Sequence, residues 1–81
     1  MNIKKTTNQD NKDLSASVKK SIDHFLWELR WNQSKLAMSA GLDISTLSLI
    51  YNGHRLPSLG TVERLADACG VKVSEFFAFG E

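Results

Sequence analysis

Val18, Ile22, Phe25, Leu26 and Leu29 recur at the spacing that lines one face of an α-helix, while Lys19, Lys20, Asp23 and Glu28 take the other side. The preceding stretch, residues 1–13, has only Met1 and Ile3 as apolar side chains and no periodicity. It reads as a flexible N-terminal arm ahead of a domain over 14–81. After Trp31 the pattern changes to short apolar segments, each opened by a small polar residue and closed by glycine. Asn32 is placed to cap a helix starting at Gln33, with Trp31 and Leu36 positioned as a hydrophobic staple, and Gly41 closes it. Asp43 is placed to cap the next, stapled by Leu42 and Leu47, with Gly53 as its left-handed stop. Pro57-Ser58 opens a segment from Leu59 to Cys69 closed by Gly70, and Ser74 opens a last one through Phe77. The pattern predicts an all-α, five-helix chain; the alternation Val71-Lys72-Val73 is too brief to count as a strand.

Only Gly41-Leu42-Asp43 separates the second and third predicted helices, so two short helices must cross steeply there. Leu36, Ala37 and Ala40 on one, and Leu47, Ile50 and Tyr51 on the other, form the facing apolar surfaces, with Ala37 small enough for close approach. Residues 33–52 therefore compose a helix-turn-helix unit whose second helix has the geometry to enter a DNA major groove. With the inner positions assigned, helical spacing turns Ile44, Ser45, Ser48 and Leu49 outward.

Eighty-one residues, 42% apolar and 23% charged, permit one small packed core and exclude a disordered or fibrous chain. A single cysteine, Cys69, rules out an internal disulfide, and the two histidines have no zinc-ligand spacing, so no metal or cofactor is expected. The net charge of +1 does not by itself announce a nucleic-acid partner, but it is unevenly distributed. Residues 1–31 hold six basic against four acidic side chains, 32–56 two against one, and 57–81 two against four, so the positive side lies in the first two thirds. No leader-like or membrane-spanning apolar run occurs, and the expected location is the cytoplasm, nucleoid-associated when bound to DNA.

QSKLAMSAGLDISTLSLIYNG followed by HRLPSLGTVERLADACGVKVSEFF resembles the lambda-repressor-like (Cro/CI, XRE) DNA-binding domains. The matching marks are Gln33, Leu36, Ala37, Gly41, Leu47, Ile50, Gly53, Pro57, Ser58, Ala66 and Gly70-Val71, spread over a likeness running from Val18 to Phe77. The loop Gly-x-x-x-Pro-Ser and the flanking helices make it more specific than a lone helix-turn-helix. There is one departure: such domains often carry an acidic residue where Tyr51 stands, paired with an arginine of the first helix. The facing position here is expected to be Leu26, making both ends of that pair apolar or nearly so.

The resemblance implies a sequence-specific regulator of transcription that binds double-stranded DNA, with Ile44, Ser45, Ser48 and Leu49 at the base-contacting positions. Their chemistry suits hydroxyl contacts to base edges and aliphatic contacts to thymine methyls, without the bidentate groups that read guanine or adenine. Phosphate contacts are expected from Gln33 and Ser34 at a helix N-terminus, and from Lys35, Asn52, His54 and Arg55. Lys4 and Lys5 of the arm are placed to reach around the duplex, or to act as a solvated tail. Cys69, Trp27 and Trp31 are expected to pack. Val73, Phe77 and Phe79 are candidates for a homodimer interface, since two recognition helices must sit about one DNA turn apart.

The favoured expectation is a repressor acting as a dimer on a palindromic operator. Alternatives are an antitoxin that also represses its own operon, with a toxin as protein partner, and a protein-interaction module on the same fold. No small-molecule ligand is implied. An enzyme is not expected, because paired carboxylates, a Ser-His-Asp set and a phosphate loop are all lacking, and His54 has no nucleophile beside it in sequence.

Overall fold

The computed structural model describes residues 3–78, with side chains from Leu14 to Ala78; Phe79 lies outside the described residues. Five helices follow in order: α1 (Ile3–Leu29), α2 (Gln33–Ala40), α3 (Ile44–Tyr51), α4 (Leu59–Ala68) and α5 (Val73–Ala78). No strand occurs among the described residues.

α1 takes in residues 3–13, the stretch read from the sequence as an arm, and their backbone is helical. No Gly or Pro interrupts residues 3–29, and once a helix is nucleated by its buried half, each added residue closes one more hydrogen bond. The apolar stripe predicted for α1 is buried where expected: Val18 and Ile22 are fully covered and Phe25 nearly so, with Leu26 and Leu29 packed at the margin. Trp27 does the opposite of what was expected and is 74% exposed. It lies two positions from Phe25, and in a helix that offset points a side chain to the far side. Trp31 does pack against the core.

Helix ends were the most predictable parts. Asn32 Oδ1 accepts from the Lys35 amide at 2.8 Å, and Ser58 Oγ accepts from the Thr61 amide at 3.2 Å. The last helix starts one residue earlier than expected, at Val73, and is capped in reverse: the Lys72 amide donates to Glu75 Oε1 at 3.1 Å. Asp43 occupies the cap position of α3, but its side chain makes no capping hydrogen bond.

Four helices end in the same paired bonds, in which the amide of a left-handed residue and the amide after it turn back on the last turn. Gly41 donates to Met38 and Leu42 to Ala37; Gly53 and His54, and Gly70 and Val71, repeat the pattern. In α1 the left-handed position is held by Arg30, φ 58°, with Arg30 donating to Trp27 and Trp31 to Leu26.

The core joins all five helices. Leu36, Ala37 and Ala40 of α2, Leu47 and Ile50 of α3, Val62, Leu65 and Ala66 of α4, and Phe76 of α5 close over Val18, Ile22 and Phe25. Phe25 and Phe76 stack with ring centroids 5.7 Å apart and planes 5° from parallel. Cys69 is buried and reduced, as expected of a small core hydrophobe. α2 packs on both α3 and α4, and α1 packs on α3 and α5, so α3 is wedged between α1 and α2.

Candidate nucleic-acid interface

α3 divides cleanly into two faces. Leu47 and Ile50 are buried, 0% and 2% exposed, whereas Ile44 and Leu49 stand 47% and 38% exposed. Ser45 is exposed and Ser48 half-buried. The four residues expected at base edges therefore share one accessible face, with aliphatic and hydroxyl groups interleaved. Exposing two branched aliphatics on a helix this short leaves apolar area in water that a partner surface would cover.

The Ser48 hydroxyl is engaged. Asn52 Nδ2 donates to the Ser48 carbonyl at 2.9 Å and to Ser48 Oγ at 3.3 Å. The amide of Asn52 thus closes the C-terminal turn of α3, and reaching a phosphate would require exchanging those bonds.

At the start of α2, Asn32 uses its side chain on Lys35 and its carbonyl on Leu36. The amides of Gln33 and Ser34, the first two of the helix, have no acceptor within it. Lys35 Nζ stands 5.7 Å from the centroid of the Trp31 ring, a cation–π contact that holds the ammonium beside the helix start. Ser34 and Lys35 are exposed and Gln33 half-buried. Beyond α3, Gly53 turns the chain, and His54, Arg55 and Leu56 are all exposed. The basic side chains of this loop are thereby presented directly after the outward face of α3.

Tyr51 corrects the expectation drawn from the resemblance. It is half-buried, and its hydroxyl donates to Asp23 Oδ1 at 2.6 Å, so its partner on α1 is Asp23 and not Leu26. Lys19 sits on the same cluster, 3.5 Å from Asp23 Oδ2 and 4.9 Å from the Tyr51 ring centroid. The hydrogen bond to Asp23 raises the Tyr51 pKa above that of an ordinary phenol, and the Asp23 carboxylate raises that of Lys19. A second contact not foreseen is Arg64 Nη1 donating to the Gly41 carbonyl at 3.3 Å, across 23 residues. Neither pair has a local sequence signature.

Of the dimer candidates, Val73 and Phe77 are half-buried against the core, and the Phe76 and Phe77 rings meet edge to face. Among the described residues there is no group of three or more His, Cys, Asp or Glu arranged to hold a metal ion, and no helix is long and apolar enough to cross a membrane.

The pattern that defines the helix-turn-helix family matches residues 27–76, covering the end of α1 through Phe76. The chain belongs to this XRE/lambda-repressor-like helix-turn-helix family of DNA-binding proteins. No curated protein and no solved structure matches it.

Proposed function

We propose that this protein is a sequence-specific regulator of transcription that binds double-stranded DNA in the cytoplasm, acting as a homodimeric repressor on a palindromic operator. The observation that carries this reading is the outer face of α3, where Ile44 and Leu49 stand exposed while Leu47 and Ile50 behind them are buried. In this reading Ser45 and Ser48 bond base edges, and Ile44 and Leu49 meet thymine methyls. Gln33 and Ser34 offer backbone amides to one phosphate, and Lys35, Asn52, His54 and Arg55 flank the groove. Repression follows from occupancy: a bound dimer excludes polymerase from the site. Val73, Phe77 and Phe79 supply the two-fold contact that spaces two copies of α3 about one DNA turn apart.

The test is selection of bound duplexes from a random pool, followed by footprinting, which reports sequence preference and half-site spacing together. With roughly four to six phosphate contacts per monomer, affinity should fall by about two to three orders of magnitude between 50 and 200 mM salt. Arg55→Ala should weaken binding to all sequences alike and lower the salt slope by about one unit. Leu49→Ala should alter the selected sequence instead. Both variants binding like the parent would exclude this face as the DNA surface.

A further inference from the structure

The orientation of α3 against α2 depends on a very short link. Gly41, at φ 70°, and Leu42 are tied back to α2 by their own amides, which leaves the torsions around Leu42 and Asp43 to set where α3 points. α2 and α4 each begin with a side-chain cap, but Asp43 makes none, so α3 has no side-chain lock at its start. The Gly41 carbonyl is an orphaned helix-end acceptor, and it receives the guanidinium of Arg64 at 3.3 Å. Arg64 is well based for this: its neighbours Leu65 and Ala66 are buried at 0% and 1% exposure, which fixes the backbone of α4. The guanidinium lies so near the turn that a Cβ built on Gly41 would meet Arg64 Nη1 at 3.9 Å.

From this geometry we infer that Arg64 is a positioning residue for the recognition surface: by holding the Gly41 carbonyl, it sets the angle at which α3 presents Ile44, Ser45, Ser48 and Leu49. The inference rests on the DNA-binding reading above. α3 is then fastened at both ends by side chains of other helices, Arg64 at the turn that precedes it and Asp23, through Tyr51, at its last turn. Arg64 shares the surface of α4 with Glu63 and Asp67, around a shallow hollow that also includes Gly60. These carboxylates disfavour a second role for Arg64 at a DNA phosphate, since they oppose the approach of an anion.

The experiment uses the full chain, with Arg64→Met to remove the donors while keeping the aliphatic stem and Arg64→Lys to restore a cationic donor. Affinity is measured for the selected duplex and for a scrambled one across a salt series, and backbone amide shifts are recorded without DNA. Arg64→Met should lose about five-fold in affinity for the selected duplex, leave the scrambled duplex and the salt slope unchanged, and shift the amides of Leu42 to Leu47. Arg64→Lys should recover most of the discrimination. A salt slope reduced by about one unit would mean that Arg64 touches phosphate itself, and overturns the positioning role. Equal loss on both duplexes, or no change on either, does so as well. If the parent protein binds no duplex, the DNA reading fails separately. The amide shifts then decide the fastening alone, and an unmoved Leu42–Leu47 segment in Arg64→Met refutes it.

Discussion

The Tyr51 hydroxyl and the Asp23 carboxylate meet at 2.6 Å, joining the last turn of α3 to the C-terminal third of α1 across 28 residues of sequence. The related domains resembled here often carry the acid on α3 and the base on α1. In this chain the acceptor is on α1 and the donor on α3, a reversed and half-neutral version of the same tie. A neutral phenol is cheaper to desolvate than a charge, and Tyr51 also presents its ring to Lys19. α3 is thereby braced without placing a new charge beside the loop that follows it.

Removing only the donor should measure that brace. Tyr51→Phe keeps the ring, and is expected to cost about 1 kcal/mol in urea unfolding. Tyr51→Glu should cost more, because it sets two carboxylates face to face, and adding Asp23→Arg to it should restore stability by recreating the ion pair in the family's sense. If the double variant is no more stable than Tyr51→Glu alone, the two positions are not coupled as their distance implies.

Arg30 holds a left-handed backbone position, φ 58°, that three glycines hold at the other equivalent helix ends. A side chain there crowds its own carbonyl, a cost glycine avoids. Arg30→Gly should therefore raise the stability of the fold by about 0.5–1 kcal/mol, net of the extra freedom glycine gives the unfolded chain. Thermal unfolding checks it, and a lower melting temperature would mean that the arginine side chain contributes more than its backbone costs.

What could be read beforehand was what is local. Asn32, Ser58, Gly41, Gly53 and Gly70 signal helix ends through bonds that span three to five residues, and all lie where the punctuation put them. The two faces of α3 were legible for the same reason, since a helix of known phase has only one inside. Arg30 carries no such signal, because it stands where a glycine would have announced the end of α1. Trp27 shows that size and apolarity alone do not place a residue in the core, since its offset from Phe25 turns it to the outer side of α1. The pairs Tyr51–Asp23 and Arg64–Gly41 depend on how helices cross, which periodicity does not encode.

Ser21 is fully buried in α1, and its hydroxyl has no hydrogen-bond partner among the described residues. An unsatisfied buried hydroxyl is a net cost to folding. Ser21→Ala should leave the fold intact and stabilise it by about 1 kcal/mol, also through the better helix propensity of alanine. A loss of stability in denaturant titration would show that the hydroxyl is satisfied in solution.

Three groups in the fold have their protonated forms favoured, Cys69 by burial, Tyr51 by its hydrogen bond to Asp23 and Lys19 by the Asp23 charge. Burial pushes the Cys69 thiol from 9.0 up to about 11, and the Tyr51 hydroxyl and Lys19 ammonium are raised by Asp23. A raised folded pKa means that the folded chain binds the proton more tightly than the unfolded one. The stabilisation is complete below about pH 9 and is lost as pH rises towards about 11. Denaturant titrations across that range should show stability falling with pH. Cys69→Ala should lower stability at neutral pH by emptying a core position, yet flatten the decline between about pH 9 and 11. Tyr51→Phe should flatten the part that begins near the ordinary phenol value of 10.0. A parent whose stability is level to about pH 11 would show that the thiol ionises in the folded core without cost.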